Sequence, residues 1–149
     1  MTNKKKKFNL KNYTTTISVD KTIIEIEKIL SNFGATAIFK TYDGGDHPTG
    51  LGFQVMVNDS PISFKLPIRA DKVLQVFKNQ GLEPRYLNIE QATKTGWRIL
   101  KCWIDSQVAM MEVELVKLEE VLLPFMYDNK LQKTFFEVVQ DNNFNLQLE

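Results

Sequence analysis

The sequence has little from which covalent or metal-held structure could be built. Among 149 residues there is one cysteine, Cys102, and one histidine, His47. A single cysteine excludes an intramolecular disulfide, and these two side chains fall short of the four ligands of a structural zinc site. We therefore expect neither a metal nor another cofactor. The same cysteine usage favours the reducing cytoplasm as the compartment.

Long apolar runs are absent as well. No stretch approaches the ~18 consecutive apolar residues of a membrane-spanning helix, and the lysine-rich start leads into polar residues. With 43% hydrophobic and 25% charged residues, the composition is that of an ordinary globular chain. These features predict a cytoplasmic protein that has no contact with a membrane.

Acidic residues are missing from the first 11 residues, which contain five lysines. Because the whole chain has a net charge of +1, removing those five positive charges leaves −4 for residues 12–149. A lysine run at a terminus is more often a solubilising tail than a tether for nucleic acid. We predict a flexible basic arm over residues 1–12, a single domain over residues 13–140 and a loose C-terminal tail over residues 141–149.

The spacing of apolar residues predicts an α+β fold. Period-two alternation of apolar and β-branched residues indicates strands, and a spacing of three or four indicates helices. One helix is predicted between Asp20, as its N-cap, and Gly34, and a second between Asp71 and Gly81. The predicted strands cover residues 13–17, 35–42, 51–57, 62–66 and 131–139. We expect a four- to five-stranded antiparallel sheet with helices on one face, in the order β-α-β-β-β-α-α-β.

A single long amphipathic helix is predicted over residues 89–123, which contain no proline and one glycine, Gly96. About 34 residues at ~1.5 Å each would extend about 50 Å, more than the ~40 Å diameter of a domain of this size. Such a helix would break at Gly96, cover its own sheet or pair with a second copy. Its basic first part and acidic last part favour antiparallel pairing, so we predict a homodimer or a larger even assembly. The predicted interface residues are Ile104, Val108, Met111 and Leu115.

Catalysis has weak support in the sequence. Cys102 and His47 are the only cysteine and histidine, and Cys102 lies inside a predicted helix, where a free cysteine is usually a small buried hydrophobe. The turn at residues 43–48 combines two aspartates with His47, but turns use Asp and Gly for backbone reasons. No glycine-rich phosphate motif is present. We predict no catalytic residue and no metal site, and hence a protein that is not an enzyme.

Basic residues around the second helix and the start of the long helix provide candidate contacts for phosphate. A scatter of this kind is more commonly a solvated face. An RNA-reading sheet would display aromatics, yet the exposed face here would show Gln54, Met56, Ser63 and Lys65. The candidate phosphate or nucleic-acid contacts are Lys4, Lys5, Lys6, Lys7, Arg69, Lys72, Arg85, Lys94, Arg98 and Lys101.

Six segments together resemble an uncharacterised family of small proteins encoded by phages and prophages: residues 13–17, 21–30, 34–36, 64–67, 97–101 and 118–124. The resemblance spans residues 13 to about 127 and carries no assigned activity. It implies the cytoplasm of a phage-infected host and favours an inhibitor or accessory factor that binds a protein partner, for example to block a host defence. The alternatives are a nucleic-acid-binding protein that uses the lysine arm and the basic helix residues, and a protein that sequesters a small nucleotide signal.

Overall fold

The computed structural model describes residues 8–145, in which helices and strands follow one another as an α+β protein. The helices are α1 (Val19–Phe33), α2 (Ala70–Gln80), α3 (Ile89–Glu112), α4 (Leu118–Leu122) and α5 (Phe135–Asp141). The strands are β1 (Ala37–Thr41), β2 (Gly50–Val57), β3 (Ser60–Pro67), β4 (Tyr127–Asp128) and β5 (Lys133–Thr134). Short 3-10 helices cover Pro84–Tyr86 and Leu123–Phe125. None of the helices in this part of the chain is long and apolar enough to cross a membrane.

The α+β class is confirmed, but the predicted number and order of strands are wrong. The described chain has a three-stranded sheet in the order β1-β2-β3 and a separate two-stranded sheet of β4 and β5. It divides into two compact units. The first contains the residues up to Ile26 together with Ile68–Trp103, and the second contains Glu27–Pro67 and the residues from Ile104 onward. The single-domain boundaries and the packing of helices on one face of the sheet stay predictions.

The first helix begins two residues earlier than predicted. Its N-terminal cap is Ser18, whose Oγ accepts a hydrogen bond from the backbone N–H of Lys21 at 3.1 Å, and not Asp20. At the other end, Gly34 has a φ of 117°, and the N–H of Ala35 bonds back to the carbonyl of Leu30 at 2.9 Å. The predicted glycine stop is therefore confirmed, because few other residues adopt this φ without strain.

A small core holds the first unit together. Phe77, Leu82 and Ala92 are buried and pack as one cluster, so α2 and the start of α3 share their apolar faces. Gly81 ends α2 in the left-handed conformation, with φ 61° and ψ 43°, as its position after the apolar run predicts. The partly buried residues on this cluster are Leu10, Tyr13, Val73, Leu74, Tyr86 and Leu87.

Residues 13–17 do not form the predicted first strand. Three of their N–H groups bond to residues just before them, and two of their carbonyls bond to a side chain of α3 instead of to a neighbouring strand. The Nε2 of Gln91 donates to the carbonyls of Tyr13 and Thr15, at 2.9 Å in both cases, and Thr95 Oγ1 donates to the carbonyl of Asn12 at 3.0 Å. Buried backbone groups need partners of some kind, and here a helix supplies some of them.

The segment just before this one also makes contacts within the first unit. The N–H of Leu10 donates to Gln80 Oε1 at 2.9 Å, and Gln80 Nε2 donates to the carbonyl of Phe8 at 3.1 Å. The Leu10 side chain packs on the Phe77 cluster. Residues 1–7, with Lys4 to Lys7, lie outside the described residues, and for them the loose arm stays a prediction.

These contacts predict a stability difference between two truncations. We expect deletion of residues 1–11 to lower the free energy of unfolding by about 1–2 kcal/mol relative to deletion of residues 1–7, because it removes one half-buried leucine and three hydrogen bonds, the third from the N–H of Tyr13 to the carbonyl of Leu10. Urea unfolding of both variants measures the difference. Equal stability of the two truncations would show that residues 8–11 add nothing to the first unit.

The three-stranded sheet is the antiparallel meander that the sequence predicts. Phe53 lies opposite Ile38 on one side and Phe64 on the other, and the rings of Phe53 and Phe64 are 5.3 Å apart. Leu51, Phe53, Val55, Phe64 and Leu66 are buried on one face. Because side chains alternate along a strand, the other face, here called the outer face, is formed by Ala37, Phe39, Thr41, Gly50, Gly52, Gln54, Met56, Pro61, Ser63, Lys65 and Pro67.

The long helix is shorter than predicted. α3 has 24 residues, which corresponds to about 36 Å, and it continues through Gly96 without a break. A Cβ at position 96 would lie 3.3 Å from Cγ2 of Ile68, so glycine serves close packing at this position. The helix ends where Glu114 takes a φ of 60° and the N–H of Leu115 bonds to the carbonyl of Met110 at 2.9 Å. Neither glycine nor proline marks this end in the sequence.

The predicted last strand over residues 131–139 is also wrong. Only Lys133–Thr134 is extended, as β5, and α5 begins directly after it. Thr134 and Glu137 form a capping box: Thr134 Oγ1 accepts from the N–H of Glu137 at 3.3 Å, and Glu137 Oε1 accepts from the N–H of Thr134 at 3.1 Å. Asp141 ends α5, and for the residues beyond 145 the loose tail stays a prediction.

Candidate functional site

The predicted basic contacts do not form one free patch within the described residues. Arg98 is ion-paired with Glu25 and lies 3.4 Å from Thr22 Oγ1, with only 14% of its side chain exposed. Its charge is therefore neutralised inside the first unit, since a partly buried guanidinium needs a carboxylate partner. A phosphate would have to displace Glu25 to reach it.

Two further basic residues have local partners. Arg85 pairs with Glu83 at 3.0 Å and lies over the Tyr86 ring at 4.7 Å, and Lys94 pairs with Glu90 at 3.8 Å. Both are surface pairs of the kind that contribute little and that phosphate can displace. Arg69 and Lys72 are exposed around the start of α2, and Lys101 is half-buried on α3. Phosphate contact by these residues stays a prediction.

Cys102 and His47, the cysteine and histidine considered for catalysis, have different environments in the structure. The Sγ of Cys102 accepts a contact from Asn12 Nδ2 at 3.8 Å. The Nδ1 of His47 is buried and has no hydrogen-bond partner among residues 8–145, so no neighbouring group orients the imidazole through this atom. In the turn before it, Asp43 Oδ1 accepts from the N–H of Gly45 at 3.4 Å. Nowhere in the described chain do three or more His, Cys, Asp or Glu side chains gather to hold a metal ion.

Three of the four predicted interface residues, Ile104, Val108 and Met111, lie on α3, but Leu115 does not. Ile104 is 3% exposed and is buried within its own chain, so it cannot contact a second copy. Val108 and Met111 are half-buried on α3, whereas Leu115 lies beyond the end of the helix and is 70% exposed. A homodimer or larger assembly stays a prediction, without the long helix on which it was based.

Exposed apolar side chains are concentrated in the C-terminal part of the second unit. Seven of the thirteen large hydrophobic side chains that are exposed among residues 8–145 belong to residues 113–144. Four of them, Leu131, Phe135, Phe136 and Phe144, lie on the turn before β5, on α5 and just after it, and we call them the C-terminal apolar surface. The rings of Phe136 and Phe144 are 6.0 Å apart. Exposed apolar side chains that lie together are candidate positions for contact with a partner.

A pocket of about 560 Å³ opens at this surface. Its position is fixed by the short β4–β5 hairpin, since the N–H of Phe135 bonds to the carbonyl of Met126 at 2.7 Å and the Asp128 carboxylate accepts from the N–H groups of Lys130 and Leu131. The pocket is lined by Met126, Tyr127, Asp128, Asn129, Lys130, Leu131, Lys133, Phe135 and Val138. A concave, mostly apolar site of this size has room for a small ligand or for an apolar side chain of a partner.

The charges at the rim of the pocket are unequal. The Lys133 amine donates a hydrogen bond to Asp141, which raises the pKa of Lys133 above its ordinary value. Asp128 is occupied by backbone N–H groups. Lys130 is exposed and has no ion-pair partner among the described residues. The rim therefore presents the ammonium of Lys130, unpaired within the described part of the chain, beside the Asp128 carboxylate, which keeps its negative charge while it accepts these backbone bonds.

The outer face of the sheet carries aromatic side chains that the sequence analysis missed. Phe39 is folded across β2: a Cβ at position 52 would overlap Cδ2, Cε2 and Cζ of its ring. Lys65 lies opposite Gly52 on β3, and its ammonium is 5.1 Å from the centroid of the Tyr127 ring. The alternation of side chains in β1 could have placed Phe39 on this face. The contact between Lys65 and Tyr127 could not have been predicted, because it depends on β4, which the sequence pattern does not reveal.

No protein-family model matches this sequence, and neither the curated proteins nor the solved structures include one that matches it. The chain is an α+β protein with an exposed apolar pocket, and its function is inferred from that geometry.

Proposed function

We propose that this chain is a non-catalytic binding protein that acts through a protein partner. The observation that supports this proposal is the C-terminal apolar surface around its pocket. Binding hot spots are typically aromatic and aliphatic anchors that cluster at the centre of an interface. Leu131, Phe135 and Phe136, between 40% and 57% exposed, provide such anchors on the free chain.

The partner segment that fits this surface is apolar and has an acidic flank. An apolar side chain would enter the pocket between Leu131 and Phe135, where it would displace water from both walls. A carboxylate beside it would meet the exposed Lys130, while Lys133 is already paired with Asp141. A helix or loop with this pattern is a common ligand of apolar grooves.

The setting of this activity follows the expectation from the phage and prophage family. A small binding protein of a phage acts as an inhibitor or accessory factor when it occupies a surface that the partner needs, and this requires no catalytic group. Blocking a host defence is one role of this kind. Sequestration of a small nucleotide is less favoured than docking of a protein, because the cationic residues that line the pocket are Lys130 and Lys133, and Lys133 is already paired with Asp141.

A random-peptide display selection tests the proposal and requires no identified partner. We expect the full chain to enrich peptides that combine apolar and acidic residues. Leu131→Glu should weaken their binding by about 30-fold, since it places a charge at an apolar hot spot and repels the acidic flank. Peptide affinity, measured by titration against both proteins, gives the ratio.

Ile89→Glu is the matched control. Ile89 is also an exposed aliphatic residue, at 54%, but it belongs to the first turn of α3, where a carboxylate suits the helix dipole. Peptides that bind the wild type and Ile89→Glu equally, and lose affinity for Leu131→Glu, support the proposal. Peptides that bind all three proteins alike would place the docking surface elsewhere.

A further inference from the structure

The outer face of the three-stranded sheet has a composition that suits a second ligand. Lys65 is the only charged residue among the outer-face positions of β1, β2 and β3, and none of these positions is acidic. We propose that this face binds single-stranded nucleic acid, with a base stacked on Phe39 and a phosphate bound to Lys65. The residues involved differ from the phosphate contacts that the sequence predicts on the helices, and nucleic-acid binding would be a second activity beside protein docking.

The position of Phe39 prepares its ring for stacking. Glycine at position 52 leaves the space into which the ring folds, and the residue stays 40% exposed. A phenylalanine that lies across the neighbouring strand keeps part of its ring accessible while its conformation is fixed by packing. Base–aromatic stacking is tolerant of sequence because every base has a π-face.

Lys65 supplies the complementary charge in the same row. Phe39, Gly52 and Lys65 are in register across the three strands, so their Cα atoms span about 10 Å, two strand spacings. The described contact of the Lys65 ammonium is with the Tyr127 ring, not with a carboxylate. A phosphate oxygen therefore meets a cation that does not first have to separate from an acidic partner.

The shape of the face favours a strand over a mononucleotide. Small ligands bind in concave sites that enclose most of their surface, whereas Phe39 and Met56 on the outer face are 40% and 50% exposed. An extended chain gains affinity from several stacked bases and phosphates in succession, each contributing a part. Single strands also present unpaired bases, which a duplex does not.

Fluorescence anisotropy with labelled oligo(dT) and oligo(U) of about 12 nucleotides tests this proposal, at a salt concentration of about 50 mM. We expect the full chain to bind and Phe39→Leu, which keeps an apolar cover over Gly52, to bind about tenfold more weakly. Phe39→Trp should retain binding. Lys65→Gln should reduce the slope of log affinity against log salt by about 0.7, the value for one phosphate contact with a single strand.

Phe136→Ala is the control, because it removes an exposed aromatic from the C-terminal apolar surface and leaves the outer face intact. It should leave oligonucleotide binding unchanged, whereas the Phe39 variants should leave peptide binding unchanged. Thermal unfolding of each variant checks that it is folded. Absence of binding, binding that Phe39→Leu leaves unchanged, or full displacement by an equal concentration of a mononucleotide would each overturn the proposal.

Discussion

Replacement of Trp97 by alanine is expected to lower the free energy of unfolding by about 3–5 kcal/mol. Trp97 is the largest fully buried side chain among the described residues, with none of its surface exposed. Truncation to alanine removes its apolar contacts and leaves a cavity that the surroundings fill only in part, so the loss exceeds the transfer free energy alone. Chemical denaturation followed by circular dichroism gives the difference, since the substitution also alters tryptophan fluorescence.

Trp97→Phe is the informative comparison. The indole Nε1 is buried and has no hydrogen-bond partner among residues 8–145. Phenylalanine therefore removes an unsatisfied donor and loses no hydrogen bond. Only its smaller ring volume lowers the free energy of unfolding. We expect a loss of about 1–2 kcal/mol. A loss for Trp97→Phe as large as that for Trp97→Ala would indicate that the indole N–H has a partner in solution, such as a buried water molecule.

The second large effect is expected at Gly52 in β2. The side chain of alanine at this position would occupy the same space as the Phe39 ring. The ring must then leave its place on the sheet or the strands must separate, and overpacking of this kind costs about 1–3 kcal/mol. Gly45→Ala is the control, because its Cβ would have only an ordinary contact, 3.5 Å from Asp43 Oδ1.

A double-mutant cycle identifies the cause of this loss. In a Phe39→Ala background the space above Gly52 is free, so Gly52→Ala should be nearly neutral there. The coupling free energy between the two substitutions would then equal the cost in the wild type, about 1–3 kcal/mol. If Gly52→Ala is equally destabilising in both backgrounds, the requirement for glycine comes from the backbone and not from the Phe39 ring.

The parts of the fold that sequence patterns predicted correctly are those whose signals are local. β1, β2 and β3 alternate with period two and are joined by turns whose residues suit them, so their pairing follows from chain order. Gly34 and Gly81 mark helix ends through positive φ, which is a property of one residue. In each case the evidence for the element lies within a few residues of it.

The elements predicted wrongly depend on distant partners or on weak local signals. Residues 13–17 have a strand-like composition, but Gln91, 76 and 78 residues further along the chain, bonds the carbonyls of Thr15 and Tyr13. The end of α3 has no glycine or proline. The strand prediction over residues 131–139 followed the β-branched and aromatic residues and overlooked Thr134 and Glu137, whose spacing is the capping-box pattern of a helix start.

The candidate site was harder to foresee than the fold. Leu131, Phe135 and Phe136 read as core residues of a strand, because apolar side chains are more often buried than exposed. Only the structure separates them from the buried residues of the sheet, places Leu131 and Phe135 at the pocket of the β4–β5 hairpin and sets Phe136 against Phe144. For Arg98 the opposite holds: a basic residue that looks like a surface charge is largely buried and paired with Glu25.

The interleaving of the two units has a consequence for synthesis on the ribosome. Every backbone pair of β1, β2 and β3 lies within residues 37–67, so this sheet can form as soon as the nascent strands emerge. The first unit must wait, because its second segment, Ile68–Trp103, is made later. At ~5–20 residues per second that segment takes about 2–7 s to translate. During this interval the first unit lacks its second segment, and three apolar side chains of α1 that are buried in the folded chain belong to it: Val19, Ile23 and Ile26. This is the period in which a nascent-chain chaperone would bind.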